Sequence, residues 1–136
     1  MEALKQNGII CDESLVLENT LTIEDGSAAA QLLMSLPHPP DAIFCGNDTT
    51  ALSVMLYLRD NGFRIPQDIG IVGFSNEPFS KVVSPSISTI AQPGFEMGQK
   101  AAELIIARIE EREQRFKTII LPIELIVRES SNRKKD

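Results

Sequence analysis

Apolar and polar positions fall in blocks along this chain, and the blocks switch period between helix and strand. "MEALKQNGI" reads as the last turns of a helix closed by Gly8. "SLVLEN" has the length and pattern of a short strand. "DGSAAAQLLMSL" predicts a helix with Asp25 or Ser27 as N-cap, and Pro37-His38-Pro39-Pro40 stops it. "DAIFCG" is a short apolar run of buried-strand type. Asn47-Asp48 opens the helix "TTALSVMLYLRD", with Asp48 where an N-cap belongs and Asn61-Gly62 at the end. "FRIPQD" then loops into the strand "IGIVGFS". Strand, helix and strand with short loops make a βαβ unit, so these strands are expected to be parallel.

Beyond Phe74 the pattern loosens. "EPFSKVVSPS" is irregular and "ISTIAQ" is a brief strand. A helix is expected from Pro93 to about Arg112, and "KTIILPIELIVRES" reads as an extended passage interrupted at Pro122. The class is α/β with a parallel sheet, and 136 residues suffice for a single hydrophobic core.

In open parallel sheets, ligands bind beyond the carboxyl ends of the strands. Asn19 to Thr22, Asn47-Asp48 and Ser75 to Glu77 occupy such places, each a polar stretch after an apolar run. Hydroxyl, amide and carboxylate groups together suit a neutral polyhydroxylated ligand. Each stretch also has a local reading. Asp48 caps a helix, which is compatible with ligand contact, and Asn47 tolerates a tight turn. Ser75-Asn76 are turn residues before Pro78, and Glu77 is solvated.

Composition narrows the chemistry. The net charge is −6, the wrong sign for a surface that meets nucleic acid, and Arg133-Lys134-Lys135 reads as a solvated tail. Cys11 and Cys45 do not make a disulfide framework, which favours a reducing compartment. No apolar run reaches membrane-spanning length, and "MEALKQNG" is not a signal peptide, so the expected location is the cytoplasm. No phosphate-cradling glycine loop, zinc spacing, Cys–His arrangement or nucleophile elbow is present, so no cofactor, metal or catalytic residue is assigned. Asp48 lacks the companion carboxylates a phospho-accepting aspartate needs. His38 lies between prolines and is read as a surface residue; Met55, Leu56 and Leu58 are core or interface.

"PDAIFCGND", then "ALSVMLYLRDNGFRIPQDIGIVGFSNEP", then "SPSISTIAQPGFEMGQKAAELII", then "LPIELIVRESS" resemble, in order and spacing, the carboxyl-terminal part of the lactose/galactose/purine repressor family. The resemblance covers nearly the whole chain. It implies a parallel-sheet, three-layer α/β lobe of the periplasmic-binding-protein-like type I fold. It also implies a bacterial transcription regulator that binds a sugar-like effector between two lobes, works as a homodimer and meets operator DNA through a separate helix-turn-helix domain. That domain, the first lobe and the start of the second, with an effector-contacting arginine loop, are expected before Met1. Residues 1–92 would then be the effector lobe, 93–116 a helix that packs on the first lobe, 117–130 the return crossover and final strand, and 131–136 a disordered tail. The apolar residues Met97, Ala101, Leu104, Ile105 and Ile109 would lack their usual sheet, so that helix is expected to pair with another chain or fold back.

Carried over residue by residue, Asn47 and Asp48 match the family's Asn-Asp pair, whose Asn commonly bonds effector hydroxyls. Ser75 stands where the family usually has a ligand-contacting Asp, and Leu21 where many members place a stacking aromatic ring. Both are departures that weaken the usual sugar clamp, with Asn76 or Glu77 as candidate replacement acceptors. The dimer contacts implied are Leu52, Met55, Leu56, Phe79, Val82 and Val83, against the alternative that "FSKVV" packs on its own domain. Two other classes remain: a solute-binding lobe serving a transporter, which shares the fold, and a small enzyme with a flavodoxin-like sheet, which needs a cofactor or metal motif.

Overall fold

The computed structural model describes residues 2–18, 20–110 and 115–133. Its centre is a four-stranded sheet in the order β1 (Ala42–Phe44), β2 (Gly70–Phe74), β3 (Ser88–Ala91), β4 (Glu124–Ile126). β1, β2 and β3 run parallel, and β4 is antiparallel to β3. The helix α3 (Asp48–Asp60) links β1 to β2, giving the expected βαβ unit. A short α1 (Glu2–Gln6) precedes α2 (Ile23–Met34), and α4 (Gly94–Ile109) joins β3 to the segment that leads into β4.

Strand alternation divides the sheet's faces. Ile43 and Ile71, paired across β1 and β2, turn toward α3. There Val54, Met55 and Leu58 close over Ile69, Ile71 and Ile87, every one of them at most 2% exposed. Burying each such side chain contributes about 1.5–3 kcal/mol. Phe44 and Phe74 emerge on the other face, where their rings meet edge-on at 6.4 Å. α2 packs on α3 at close range because Gly26 has no side chain: a methyl there would come within 2.7 Å of Ser53 Cβ.

Several expectations are corrected. "SLVLEN" forms no strand among its described residues; Glu13–Leu15 is a single 3-10 turn. A strand exists only with a partner, and Leu15–Leu17 look across an apolar cavity at β1 rather than at a ladder neighbour. The N-cap of α2 is Thr22, not Asp25 or Ser27. Thr22 and Asp25 form a reciprocal capping box, in which Thr22 Oγ1 accepts from Asp25 N and Asp25 Oδ2 accepts from Thr22 N. Arg133 is exposed but not a free tail residue: its guanidinium pairs with Asp41 and donates to the carbonyls of Asp41, Pro66 and Asp68. Asn19, the Arg112 end expected for α4, and Lys134 to Asp136 lie outside the described residues. α4 carries no buried residue: Met97, Ala101 and Leu104 border a cavity toward Phe74, Ile119, Leu121 and Ile123, while Ile105 and Ile109 are exposed.

Two expected results follow from the interior. Thr50 Oγ1 is the one buried side-chain polar atom without a partner among the described residues. Thr50→Val keeps the shape and removes the orphan hydroxyl, so it should raise stability by about 1 kcal/mol, read from the urea midpoint. A lowered midpoint would contradict this account. Burial first, then the Asp48 charge, pushes the Cys45 thiol up to about 12. It should resist a thiol reagent at neutral pH until the chain unfolds. The unfolded thiol ionises near its ordinary value of 9, so this group's contribution to stability is full below that pH and declines as pH rises toward 12. Rapid labelling of Cys45 in the native chain would contradict the burial.

Candidate functional site

The strand-end rim is built by three loops: the approach to α2, the β1–α3 turn and the β2–β3 turn. Asn47, not Asp48, is the N-cap of α3; its backbone is extended and its Oδ1 accepts from Thr50 N at 2.7 Å. Its Nδ2 reaches across to the Leu21 carbonyl at 3.1 Å, which ties the first loop to the second. An amide offers two donors and two acceptor sites. These bonds use one of each, so Asn47 retains a donor and an acceptor for a ligand.

Asp48 is fully buried. Its Oδ1 accepts from the Thr89 hydroxyl at 2.6 Å and its Oδ2 from Glu77 N at 2.7 Å. The carboxylate lies over Gly73 and beside Thr89, which are paired neighbours on β2 and β3. It joins the start of α3 to two strands and the rim turn, and it presents no surface to a ligand.

Ser75 and Asn76 complete the turn in unusual backbone states, with φ of 111° and 55°. Ser75 N donates to the Ile90 carbonyl, and Asn76 N to Thr89 Oγ1. The Ser75 hydroxyl has no partner among the described residues. Asn76 Oδ1 accepts from Arg128 Nη2 at 2.7 Å, so its carbonyl is engaged inside the domain. Glu77 is exposed and contributes its backbone to Asp48. Leu21 has φ of 62° and packs its side chain over Gly46, where a methyl would meet Leu21 Cδ2 at 2.8 Å.

The residues named from sequence therefore gather at one edge but do different work. Asn47, Ser75, Glu77 and Leu21 present groups outward, whereas Asp48 and Asn76 brace the rim from within. Arg128 and Thr89 were not found from sequence, because their roles depend on partners in distant segments. Of the residues named as subunit contacts, Met55 is 2% exposed and belongs to the core; Leu52, Phe79 and Val83 pack against it in part, and Leu56 and Val82 are exposed. Among the described residues no cluster of His, Cys, Asp or Glu could hold a metal ion, and no helix is long and apolar enough to cross a membrane.

Strain at the turn has a measurable consequence. A non-glycine residue at such φ costs on the order of 1–3 kcal/mol. Ser75→Gly should therefore stabilise the chain by about 1 kcal/mol after glycine's own entropy cost. A destabilised variant in urea unfolding would show that the hydroxyl, not the backbone, dominates at this site.

The periplasmic binding protein-like domain family model matches residues 1–131. The HTH-type transcriptional repressor CytR of Escherichia coli (strain K12) is 34% identical over 131 residues, covering 96% of this chain and 38% of CytR. The chain thus spans well under half the length of the curated relatives it matches. A putative transcriptional regulator LacI from Bacillus cereus subsp. cytotoxis NVH 391-98 superposes with a TM-score of 0.90 at 33% identity, covering 96% of this chain and 46% of that one. The transcriptional regulator CelR in complex with cellobiose superposes with a TM-score of 0.88 at 33% identity, covering 96% and 40%. With the fold and rim geometry in place, these matches show that the chain belongs to the periplasmic binding protein-like domain family, in the line of the lactose/galactose/purine repressors.

Proposed function

We propose that this chain is the effector-binding part of a bacterial transcription regulator, taking a neutral sugar-like molecule at the strand-end rim. The observation that carries the reading is the position of the strained backbone. Leu21, Ser75 and Asn76 are the non-glycine residues with positive φ among those described, and all of them lie on this rim. Such conformations persist where the surroundings over-determine them, and they collect at ligand sites. Asn47 supplies a donor and an acceptor, Ser75 a hydroxyl, Glu77 a carboxylate acceptor, and Leu21 an apolar surface. Asp48 and Asn76 hold these in place. The likeness to a regulator held with cellobiose supports the ligand class, and the repressor relatives favour a regulator over a transport-protein lobe.

The work is differential binding with no covalent step. An effector that prefers one arrangement of the protein shifts the population toward it, and operator affinity follows through a DNA-binding part outside this chain. Leu56 and Val82, with the partly buried Leu52, Phe79 and Val83, are the surface available for a homodimer contact. The site of action is the cytoplasm, where operator DNA is found.

Amide shifts of the labelled chain, titrated with cellobiose and with ribose, test the reading. Saturable shifts at Gly46–Asp48 and Ser75–Glu77 are expected, with Ser75→Ala weakening binding about 3- to 10-fold, as one lost hydrogen bond does. A folded chain whose rim amides stay still across a panel of neutral sugars would end it.

A further inference from the structure

Arg128 follows β4, and its side chain is the only one described that bonds the rim turn, the 3-10 turn Pro78–Lys81 and the entry to β3 together. Its backbone is set by Ser88, whose Oγ accepts from Arg128 N at 2.7 Å and donates to Arg128 O at 3.0 Å. From there Nη2 donates to Asn76 Oδ1 at 2.7 Å, and Nη1 to Ser80 Oγ at 2.9 Å and the Ile87 carbonyl at 2.7 Å. All these acceptors are neutral, and among the described residues the guanidinium has no carboxylate partner. Its role is therefore reach and a fixed fork of donors, which arginine offers and lysine does not.

The bonds close a ring. Ser80, fully buried, donates both N and Oγ to the Glu77 carbonyl at 2.9 and 2.7 Å, and its own carbonyl accepts from Ile87 N at 2.7 Å. Thus Asn76 and Glu77 on the rim, Ser80 in the 3-10 turn and Ile87 at β3 are bonded in a closed circuit around one guanidinium. Phe79 lies in the same 3-10 turn, Val82 and Val83 follow it with their amides on the Phe79 carbonyl, and Val82 is 81% exposed.

We propose that Arg128 is a positioning residue that makes the rim turn and the Phe79–Val83 segment one mechanical element, so that a displacement at the rim is carried to that apolar surface. The biological consequence rests on reading the rim as an effector site. The physical statement does not, and its test uses no ligand.

The test is residue-resolved amide hydrogen exchange on the whole chain. Arg128→Met keeps length and apolar stem but no donors, so Asn76 Oδ1 and the Ile87 carbonyl lose their guanidinium bonds and Ser80 Oγ keeps only its bond to the Glu77 carbonyl. Exchange at Asn76, Glu77, Ser80 and Ile87 should speed up together, by about tenfold or more. Gly70 and Cys45, whose amides bond across β1 and β2, should change far less. Ser80→Ala removes the Oγ bonds to Arg128 and to the Glu77 carbonyl, leaves Ser80 N on that carbonyl and the Arg128–Asn76 bond in place, and carries the test if the Arg128 variant does not fold. It should still quicken exchange at Asn76 by about threefold. Acceleration confined to one segment, an equal rise at every amide, or an unmoved Asn76 in Ser80→Ala would each overturn the proposal. If the exchange pattern holds while sugars fail to shift the rim, the positioning role stands and the effector reading falls.

Discussion

Asp48→Ala is expected to lower folding stability by about 3–5 kcal/mol, a large share of what a domain of this size possesses. The carboxylate is fully buried and serves donors from two segments far away in sequence. Hydrogen bonds to a charged group are each worth about 1.5–3 kcal/mol, and alanine leaves both donors, Thr89 Oγ1 and Glu77 N, facing a small void. Asp48→Asn keeps the shape and one acceptor, but its NH2 cannot accept from the second donor. It should fall between alanine and wild type. The measurement is urea unfolding followed by circular dichroism, with the slope unchanged. A loss under about 1 kcal/mol for Asp48→Ala would mean that the carboxylate is not the brace described here.

The same residue shows why the site was only partly legible in the sequence. Asn47-Asp48 is visible as a helix start, since both residues cap well. Which of the two caps is decided by long-range demand: Thr89 and Glu77 claim the aspartate, so the cap falls to Asn47. A local pattern contains no information about a donor 41 residues away. Arg128 is harder still, because its link to Asn76 spans 52 residues and requires β4 to lie beside β3. "LPIELIVRESS" reads as part of the family pattern with no role for its serines, yet Ser130 is fully buried and stitches β2 to β3, donating from Oγ to the Ile71 carbonyl at 2.6 Å and accepting from Ser88 N at 2.8 Å.

The fold was more legible than the site because it rests on period and punctuation. β1, β2, β3 and the helices α2, α3 and α4 fall on the runs that predicted them, since each buries or borders an apolar face, and Gly, Asn or Pro stands at or just beyond the end of every one but α4. The exception has a physical cause. "SLVLEN" has strand composition, but Leu15 to Leu17 border a cavity of about 520 Å³ with the outer edge of β1 on its far side. Because Asp41 O and Cys45 N bond to β2, alternation turns the backbone groups of Ala42 and Phe44 outward into that cavity. With no strand between them among the described residues, neither side completes a ladder. The Thr22–Asp25 box, by contrast, is a local motif that sequence reading placed too late, taking the N3 aspartate for the cap.

Gly73→Ala should be nearly as damaging as Asp48→Ala, and for a related reason. Glycine in a central strand normally weakens it, so its presence marks a close approach. A methyl on Gly73 would overlap Asp48 Oδ1 and press to 3.2 Å from Asp48 Cγ and 3.3 Å from Ala51 Cβ. The strand cannot yield, since β2 is paired on both sides, so α3 must lift or the carboxylate must leave its donors. Overpacking costs about 1–3 kcal/mol, and losing a charge-assisted hydrogen bond adds to it, for an expected total of about 3–4 kcal/mol. The double variant decides between these routes. With Asp48→Ala in place, the methyl at Gly73 enters the space the carboxylate vacated, and only the Ala51 contact remains tight. The pair should then cost about 2 kcal/mol less than the sum of the single losses. Full additivity in urea unfolding would show that Gly73 is required by the α3 backbone itself. A strong deficit from additivity would show that it is glycine because Asp48 lies on it.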